Sequence, residues 1–245
     1  MEQRAAVKAF FDKLYQKSSR DFYALAEQNL VSGTRMFVVT ANPEIFMQGT
    51  EQEALRGLLL DADTTLIADG IGIVKGAHML GISVTERIPG VELAEFLLSR
   101  ASVHGSRVFL FGAQKHVLDT LCQVIQEKYS GLTLVGACDG YAADKDAVFE
   151  QIRLAQPDLV LVALGVPQQE ELIYRHLKEF SKGSFVGVGG SFDVLSNTKP
   201  RAPKLFIRLN LEWLYRILRE PSRLKRFYQN NVRFLFRLRK LKQAD

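Results

Sequence analysis

A chain of 245 residues that is 47% hydrophobic and 24% charged has enough apolar surface to bury a sizeable core in one large or two small globular domains. The N-terminal Met1-Glu2-Gln3-Arg4 carries no apolar secretory region, and the longest apolar run, residues 159–166, falls short of the ~18 residues of a membrane span. Two separated cysteines, Cys122 and Cys138, form no motif and read as packed apolar groups of a cytoplasmic chain. The net charge of +5 conceals an asymmetry. Residues 199–245 hold 14 Lys and Arg against 3 Asp and Glu, a balance of +11, while the rest holds 18 against 24, a balance of −6. A mildly acidic body with a strongly basic tail points the tail towards phosphates or an anionic surface.

Val7, Phe10, Phe11 and Leu14 recur at helical spacing, so residues 4–30 are expected to form a helix ended by Gly33. Residues 36–40 read as a strand opening into Thr40-Ala41-Asn42-Pro43, where Pro43 suits the first turn of a helix reaching residue 60. The next strand, residues 65–68, runs into Asp69 and two glycines and then a helix to residue 80. After the loop 85–90 a helix reaches residue 102. Strand 107–111 ends at Gly112, and helix 115–129 follows. Strand 132–136 leads to Asp139-Gly140-Tyr141, then helix 144–155. Strand 159–163 leads to Gly165-Val166-Pro167-Gln168-Gln169-Glu170, then a helix to residue 180. Strand 185–188 leads to Gly189-Gly190-Ser191-Phe192-Asp193.

Short apolar strands alternating with helices predict an α/β fold: a Rossmann-like, mostly parallel sheet of about six strands flanked by helices. Residues 1–198 are expected to form this catalytic domain. Beyond Pro200-Arg201-Ala202-Pro203 the strands stop, and residues 199–245 are expected to form a basic helical appendage. In such a sheet ligands sit at the carboxyl ends of the strands, and each strand here ends in Gly, Asn, Asp or Gln.

Two signals compete with that rim. Leu58-Leu59-Leu60-Asp61-Ala62-Asp63 resembles an Asp-x-Asp metal site, but it precedes its strand and so belongs to the opposite rim. Gly70-Ile71-Gly72-Ile73-Val74-Lys75-Gly76 resembles a dinucleotide loop, but Asp69 occupies the turn that a phosphate would have to approach. His78, His104, His116 and His176 share no ligand spacing. Neither a metal nor a cofactor is expected. There remains a rim set: Thr40, Asn42, Asp69, Arg87, Gln169 and Asp193, with several glycines. Each has an ordinary reading too: Thr40 and Asn42 as helix caps, Arg87 as a surface charge, Gln169 as a first-turn residue.

The stretches Thr40-Ala41-Asn42-Pro43-Glu44, Ala68-Asp69-Gly70-Ile71-Gly72, Arg87-Ile88-Pro89-Gly90, Leu164-Gly165-Val166-Pro167-Gln168-Gln169-Glu170 and Gly187-Val188-Gly189-Gly190-Ser191-Phe192-Asp193, with Glu212-Trp213-Leu214-Tyr215-Arg216 and Glu220-Pro221-Ser222-Arg223-Leu224-Lys225-Arg226 in the tail, resemble the WecG/TagA/CpsF family of bacterial glycosyltransferases over residues 35–235. The chain departs from that pattern by starting helical, where the family often starts with a short β-rich segment. The resemblance implies transfer of N-acetylmannosamine from UDP to GlcNAc-diphospho-undecaprenol, with inversion, in wall teichoic acid synthesis, or of another UDP-sugar for capsule or exopolysaccharide. By resemblance Asp69 is the base, and Thr40, Asn42, Arg87 and Gln169 line the sugar pocket. Arg216, Arg223 and Arg226 fall where the family's appendage offers arginines to the acceptor's diphosphate.

The chemistry suits one carboxylate. A base takes the acceptor hydroxyl's proton as its oxygen attacks the anomeric carbon, and a nucleotide diphosphate leaves without strong protonation. Its charge needs cations or backbone N–H groups, for which Gly70, Gly112, Gly165, Gly189 and Gly190 are candidates, with Asp193 on the same rim. Tyr141 either stacks on a uracil or packs on a neighbouring helix. In the tail, Leu224, Phe227, Asn231, Phe234, Leu238 and Leu241 form one helical stripe, flanked by Arg223, Arg226, Asn230, Arg233, Arg237 and Lys240. Two readings stand: an interfacial helix on anionic lipid at the inner face of the cell membrane, or a helix docked on the body or on a second copy in a homo-oligomer. The basic tail with its aromatics leaves a nucleic-acid-binding protein as the competing class; no nucleic acid is expected for the transferase.

Overall fold

Apolar runs too short for buried helices pair here as strands covered on both faces. In the computed structural model, which describes residues 2–84, 86–222, 224–225 and 228–242, these are β1 (Met36–Ala41), β2 (Thr64–Ala68), β3 (Arg107–Gly112), β4 (Thr133–Cys138), β5 (Leu159–Ala163) and β6 (Ser184–Gly187). They form one sheet in the order β2-β1-β6-β5-β3-β4, and every pairing is parallel. All carboxyl ends therefore lie on one rim. β3 and β5 are neighbours whose chain continuations leave in opposite directions, to β4 and to β6. That switch point opens a crevice at the rim.

Side chains alternate between two cores, as strand geometry requires. Phe37, Val39, Leu66, Phe111, Val162 and Phe185 face one side. They are covered by α1 (Glu2–Lys13), α3 (Pro43–Glu51), α4 (Glu53–Leu60), α5 (Ile71–Met79), α8 (Lys145–Ala155) and α9 (Gln168–His176). Val38, Ile67, Leu110, Leu161 and Val186 face the other. There they meet α2 (Ser19–Ser32), α6 (Gly90–His104), α7 (Lys115–Lys128) and the five-residue α10 (Ser191–Leu195).

Two expected helices are interrupted. The single helix expected over residues 4–30 is α1 and α2. Leu14 leaves the first to bridge Leu66, and Tyr15 N–H donates to Leu66 O at 2.8 Å. Ser18 then caps the second by accepting from Asp21 N–H at 3.1 Å. The helix over 43–60 breaks at Gln52, whose backbone is extended (φ −115°, ψ 117°). On the rim opposite Asp69, Asp61 accepts from the Tyr174 hydroxyl at 2.7 Å and Asp63 pairs with Arg35 at 3.3 Å. The Asp-x-Asp pair is thus engaged in structural contacts.

The tail contains α11 (Lys204–Arg208), α12 (Glu212–Arg219), a π-helical turn over Tyr228–Val232 and α13 (Arg233–Lys242). Of the predicted apolar stripe, Phe234 and Leu238 are 1% and 0% exposed. The Phe234 ring lies 6.1 Å from that of Phe11 and 6.4 Å from that of Phe46. Gly76 makes room for the helix: a Cβ there would stand 2.6 Å from Phe11 and 2.7 Å from Leu238. From the flanking basic stripe, Arg237 reaches Thr50 at 3.2 Å and Glu51 at 3.4 Å. The docked reading is therefore the one that holds for these residues, and they are not available to a lipid surface in this state. Leu224 is exposed, while Phe227 and the Leu241 side chain lie outside the described residues. Among the described residues no helix is long and apolar enough to cross a membrane.

Phe234 fills a space bounded by two aromatic rings, so truncation leaves a cavity. Phe234→Ala is expected to lower the unfolding free energy by about 3 kcal/mol, read as a fall in the urea midpoint. An unchanged midpoint would show that the helix contributes nothing to the core.

Candidate active site

β2 ends at Ala68, and the next residue is anchored by its own backbone: Asp69 N–H donates to Ala41 O at 3.0 Å. The chain returns past Arg87, where Ile88 N–H donates to Ala68 O at 2.7 Å, and enters α6 at Gly90. Gly90 N–H then donates to Asp69 Oδ1 at 3.1 Å. Gly90 fits because a Cβ would lie only 3.1 Å from the Thr40 methyl. The Asp69 carboxyl is partly buried, and burial pushes its pKa above the usual carboxylate value. The Gly90 N–H, Arg216 and Arg87 oppose that rise in descending order, and Glu212 adds to it. A carboxylate of raised basicity among guanidinium groups suits a general base.

The other rim residues hold the scaffold as well as line it. Thr40 is buried, and its hydroxyl donates to Gly187 O at 2.9 Å, tying β1 to β6. Asn42 caps α3, accepting from Ile45 N–H at 3.1 Å, with Pro43 in the first turn. Gln169 is buried. Its Oε1 accepts from Gly165 N–H at 3.2 Å and Gly189 N–H at 3.0 Å, so it joins the loops that follow β5 and β6. The Gly189 N–H, expected to face a phosphate, is turned to Gln169 instead. Asp193 pairs with Lys199 at 3.5 Å, and its carbonyl accepts from Lys199 N–H at 2.9 Å. Asp193 thereby fastens the start of the appendage.

At the β3–β5 crevice the backbone comes close. Gly112 has φ 125°, Ala113 φ 60° and Gly165 φ 82°. A Cβ on Gly112 would stand 2.4 Å from Ala163 O, so only glycine fits. Gly140 N–H donates to Ala113 O at 2.9 Å. Next to it Tyr141 is 73% exposed. That excludes the packed alternative and leaves an open ring beside the crevice.

The appendage closes over this rim. Arg87 Nη2 meets Glu212 Oε2 at 2.6 Å, and both side chains are largely shielded. Arg201 pairs with Glu92 and lies 3.9 Å from Glu212. Asn231 comes to 3.8 Å from the position of a Cβ on Gly72, beside the N-cap residue Gly70. Arg223 and Arg226 lie outside the described residues. Among the described residues no group of three His, Cys, Asp or Glu side chains is arranged to hold a metal.

Three residues at the rim carry no signal of their own in the sequence: Glu212, Arg201 and Glu170. The first stands in the stretch with Arg216, and the last directly follows Gln169. Glu170 is 0% exposed. Its Oε1 accepts from Gln169 Nε2 at 2.7 Å, and Oε2 has no hydrogen-bond partner among the described residues. Burial pushes its pKa up to about 7, against the Gln169 amide and a backbone N–H, with Glu171 and Glu44 raising it further. The folded chain holds this proton more tightly than the unfolded chain does. The resulting stability is fully present below the ordinary value of 4.5 and is lost as pH rises through about 7. Measured against Glu170→Gln, the wild type is expected to lose about 3 kcal/mol of unfolding free energy between about pH 4 and about pH 8. Urea titrations at the two pH values check this, and a difference independent of pH would contradict it.

With the geometry in place, comparison with known proteins is informative. A model of the glycosyl transferase WecG/TagA/CpsF family matches residues 11–244. The chain is 40% identical over 190 residues to the N-acetylglucosaminyldiphosphoundecaprenol N-acetyl-beta-D-mannosaminyltransferase of Bacillus spizizenii, covering 78% of this chain and 74% of that protein. It is 35% identical over 212 residues to the enzyme of the same name from Staphylococcus aureus strain MW2, covering 86% and 83%. The match spans the β-sheet, the rim and the appendage alike, and the chain belongs to the WecG/TagA/CpsF family of glycosyltransferases.

Proposed function

We propose that this protein is an inverting hexosyltransferase that moves N-acetylmannosamine from UDP-N-acetylmannosamine to GlcNAc-diphospho-undecaprenol in wall teichoic acid synthesis. The observation that carries the reading is the partly buried carboxylate of Asp69, set among guanidinium groups at the end of β2. The names of the relatives support the sugar and the lipid acceptor.

In the reaction Asp69 removes the proton of the acceptor hydroxyl. The oxygen attacks the anomeric carbon from the face opposite UDP. The bond from that carbon to the diphosphate oxygen breaks, and UDP leaves with the electron pair. Arg87 and backbone N–H groups of the rim stabilise the charge that develops. The donor's nucleotide occupies the crevice between β3 and β5, its diphosphate approaching the bare backbone at Gly112 and Gly165 and its uracil stacking on Tyr141. Thr40, Asn42 and Gln169 shape the sugar pocket. Arg216, with Arg223 and Arg226, receives the acceptor's diphosphate. No step calls on a metal.

Asp69→Asn keeps the shape and removes the base. Turnover is expected to fall by about 10²–10⁴-fold, with UDP affinity within about three-fold of wild type by calorimetry. Near-normal turnover would remove Asp69 as the base. A screen of UDP-sugars against a short-chain GlcNAc-diphospholipid reads the donor, with capsule-type sugars as the alternative outcome.

A polyprenyl-linked acceptor suits a peripheral protein at the inner face of the cell membrane. Support comes from Leu205 on α11, Leu209 just after it and Leu218 on α12, each more than half exposed, with Arg208 and Arg219 in the last turns of the two helices. Removing the tail would uncover the core beneath Phe234 and Leu238, so point changes make the better test. The combined change Leu205→Glu, Leu209→Glu and Leu218→Glu is expected to cut co-sedimentation with phosphatidylglycerol vesicles at least about ten-fold, each buried Leu contributing ~1.5–3 kcal/mol. Undiminished sedimentation would exclude this surface as the membrane contact.

A further inference from the structure

The carboxamide of Gln169 has one acceptor and two donors, and its surroundings accept only one orientation of it. On one side stand two backbone donors, Gly165 N–H and Gly189 N–H, which need its oxygen. On the other stands Glu170 Oε1, which needs its NH₂. Rotated by half a turn, the amide would set NH₂ against two N–H groups and oxygen against a carboxyl. Glu170 makes the correct orientation the satisfied one.

The pair is also packed against the sheet. A Cβ on Gly187 would fall 2.8 Å from Gln169 Nε2 and 3.1 Å from Glu170 Oε1, so the bare strand admits them both. The carbonyl of the same Gly187 accepts from Thr40. Beyond Thr40 stand Gly90 and then Asp69. A fully buried acid with one oxygen unpartnered among the described residues is costly to the fold, and its other oxygen accepts from the residue that joins two rim loops.

We propose that Glu170 is a positioning residue: its buried carboxyl locks the Gln169 carboxamide so that the loops after β5 and β6 are held together as the floor of the donor site. This rests on the donor site proposed above. Glu170 itself touches no substrate; it acts through Gln169. The charged groups that act on it are Glu171 on its own helix and Glu44 at the start of α3, both acidic. As the carboxyl titrates near neutrality it keeps an acceptor oxygen for Gln169 in either form, so the lock persists across its titration.

The test uses the full-length protein and two readouts. Glu170→Leu fills most of the volume and removes both oxygens, whereas Glu170→Gln keeps an acceptor. In Glu170→Leu the amides of Gly165 and Gly189 are expected to exchange with deuterium at least about ten-fold faster, with exchange in β1 and β3 unchanged. Glu170→Gln restores slow exchange. Adding Gln169→Ala to Glu170→Leu gives no further acceleration over Gln169→Ala alone, because the effect runs through Gln169. In the transfer assay Glu170→Leu raises KM for the UDP-sugar about ten-fold with a smaller change in kcat, and Glu170→Gln stays within about two-fold of wild type.

Native exchange at both glycines in Glu170→Leu would overturn the proposal, as would failure of Glu170→Gln to restore it. If Glu170→Leu does not fold, Glu170→Gln against Gln169→Ala still decides: equal exchange rates in the two at Gly165 and Gly189 would overturn it. Exchange is measured without substrate. The expected exchange pattern in a wild-type protein that transfers no sugar would reject the proposed function while leaving the lock in place.

Discussion

The ion pair between Arg87 and Glu212 is the joint that makes one site out of two distant parts of the chain. At 2.6 Å and largely shielded from water, it has given up hydration for contact, and such a pair need not add net stability. What it fixes is position. Loss of either partner would strand a charge at a cost of ~3–5 kcal/mol, so α12 is held against the loop between α5 and α6. Glu212 and Arg216 stand four residues apart on that helix and share a face. Pinning the first carries the second to Asp69, on which Arg216 exerts the largest effect of any charged residue. Arg201 and Lys199, bonded to acids on the body and on the appendage, hold the segment that leads there.

The far end of the appendage is held by different physics. Phe234 and Leu238 enter the core beside Phe11, Phe46 and Gly76, and their burial supplies the energy that the ion pairs do not. The appendage is thus anchored by apolar contact at α13 and registered by charge at α12. Between them stands the π-helical turn, which brings Asn231 near Gly72 at the start of α5. The apolar residues left outside, on α11 and α12, lie on the stretch whose anchors are ionic.

The sheet was legible because each strand is a short apolar run bounded by helical periodicity, and parallel pairing then puts every strand end on one rim. Thr40, Asn42, Asp69 and Gln169 were found that way. Their partners were not. Leu14 continues the helical spacing of Val7, Phe10 and Phe11, yet it leaves the helix because Leu66 offers a backbone partner. The spacing of Phe234 and Leu238 announces a stripe but not what covers it; lipid and core are equally apolar. Glu170 and Glu212 look like solvated helix residues, since burial is a property of the assembled fold and not of the flanking residues. Arg216 was readable as charge, but its approach to Asp69 depends on the Glu212 contact, 125 residues from Arg87.

Asp69 and Glu170, the two rim acids whose pKa burial raises, differ in their surroundings. Around Asp69 a backbone N–H and two guanidinium groups oppose the rise. Around Glu170 the nearby charges are acidic and only hydrogen bonds oppose it. The rise is thus opposed by charge at Asp69 but not at Glu170, which spends part of its time protonated at neutral pH and serves as an acceptor in either form.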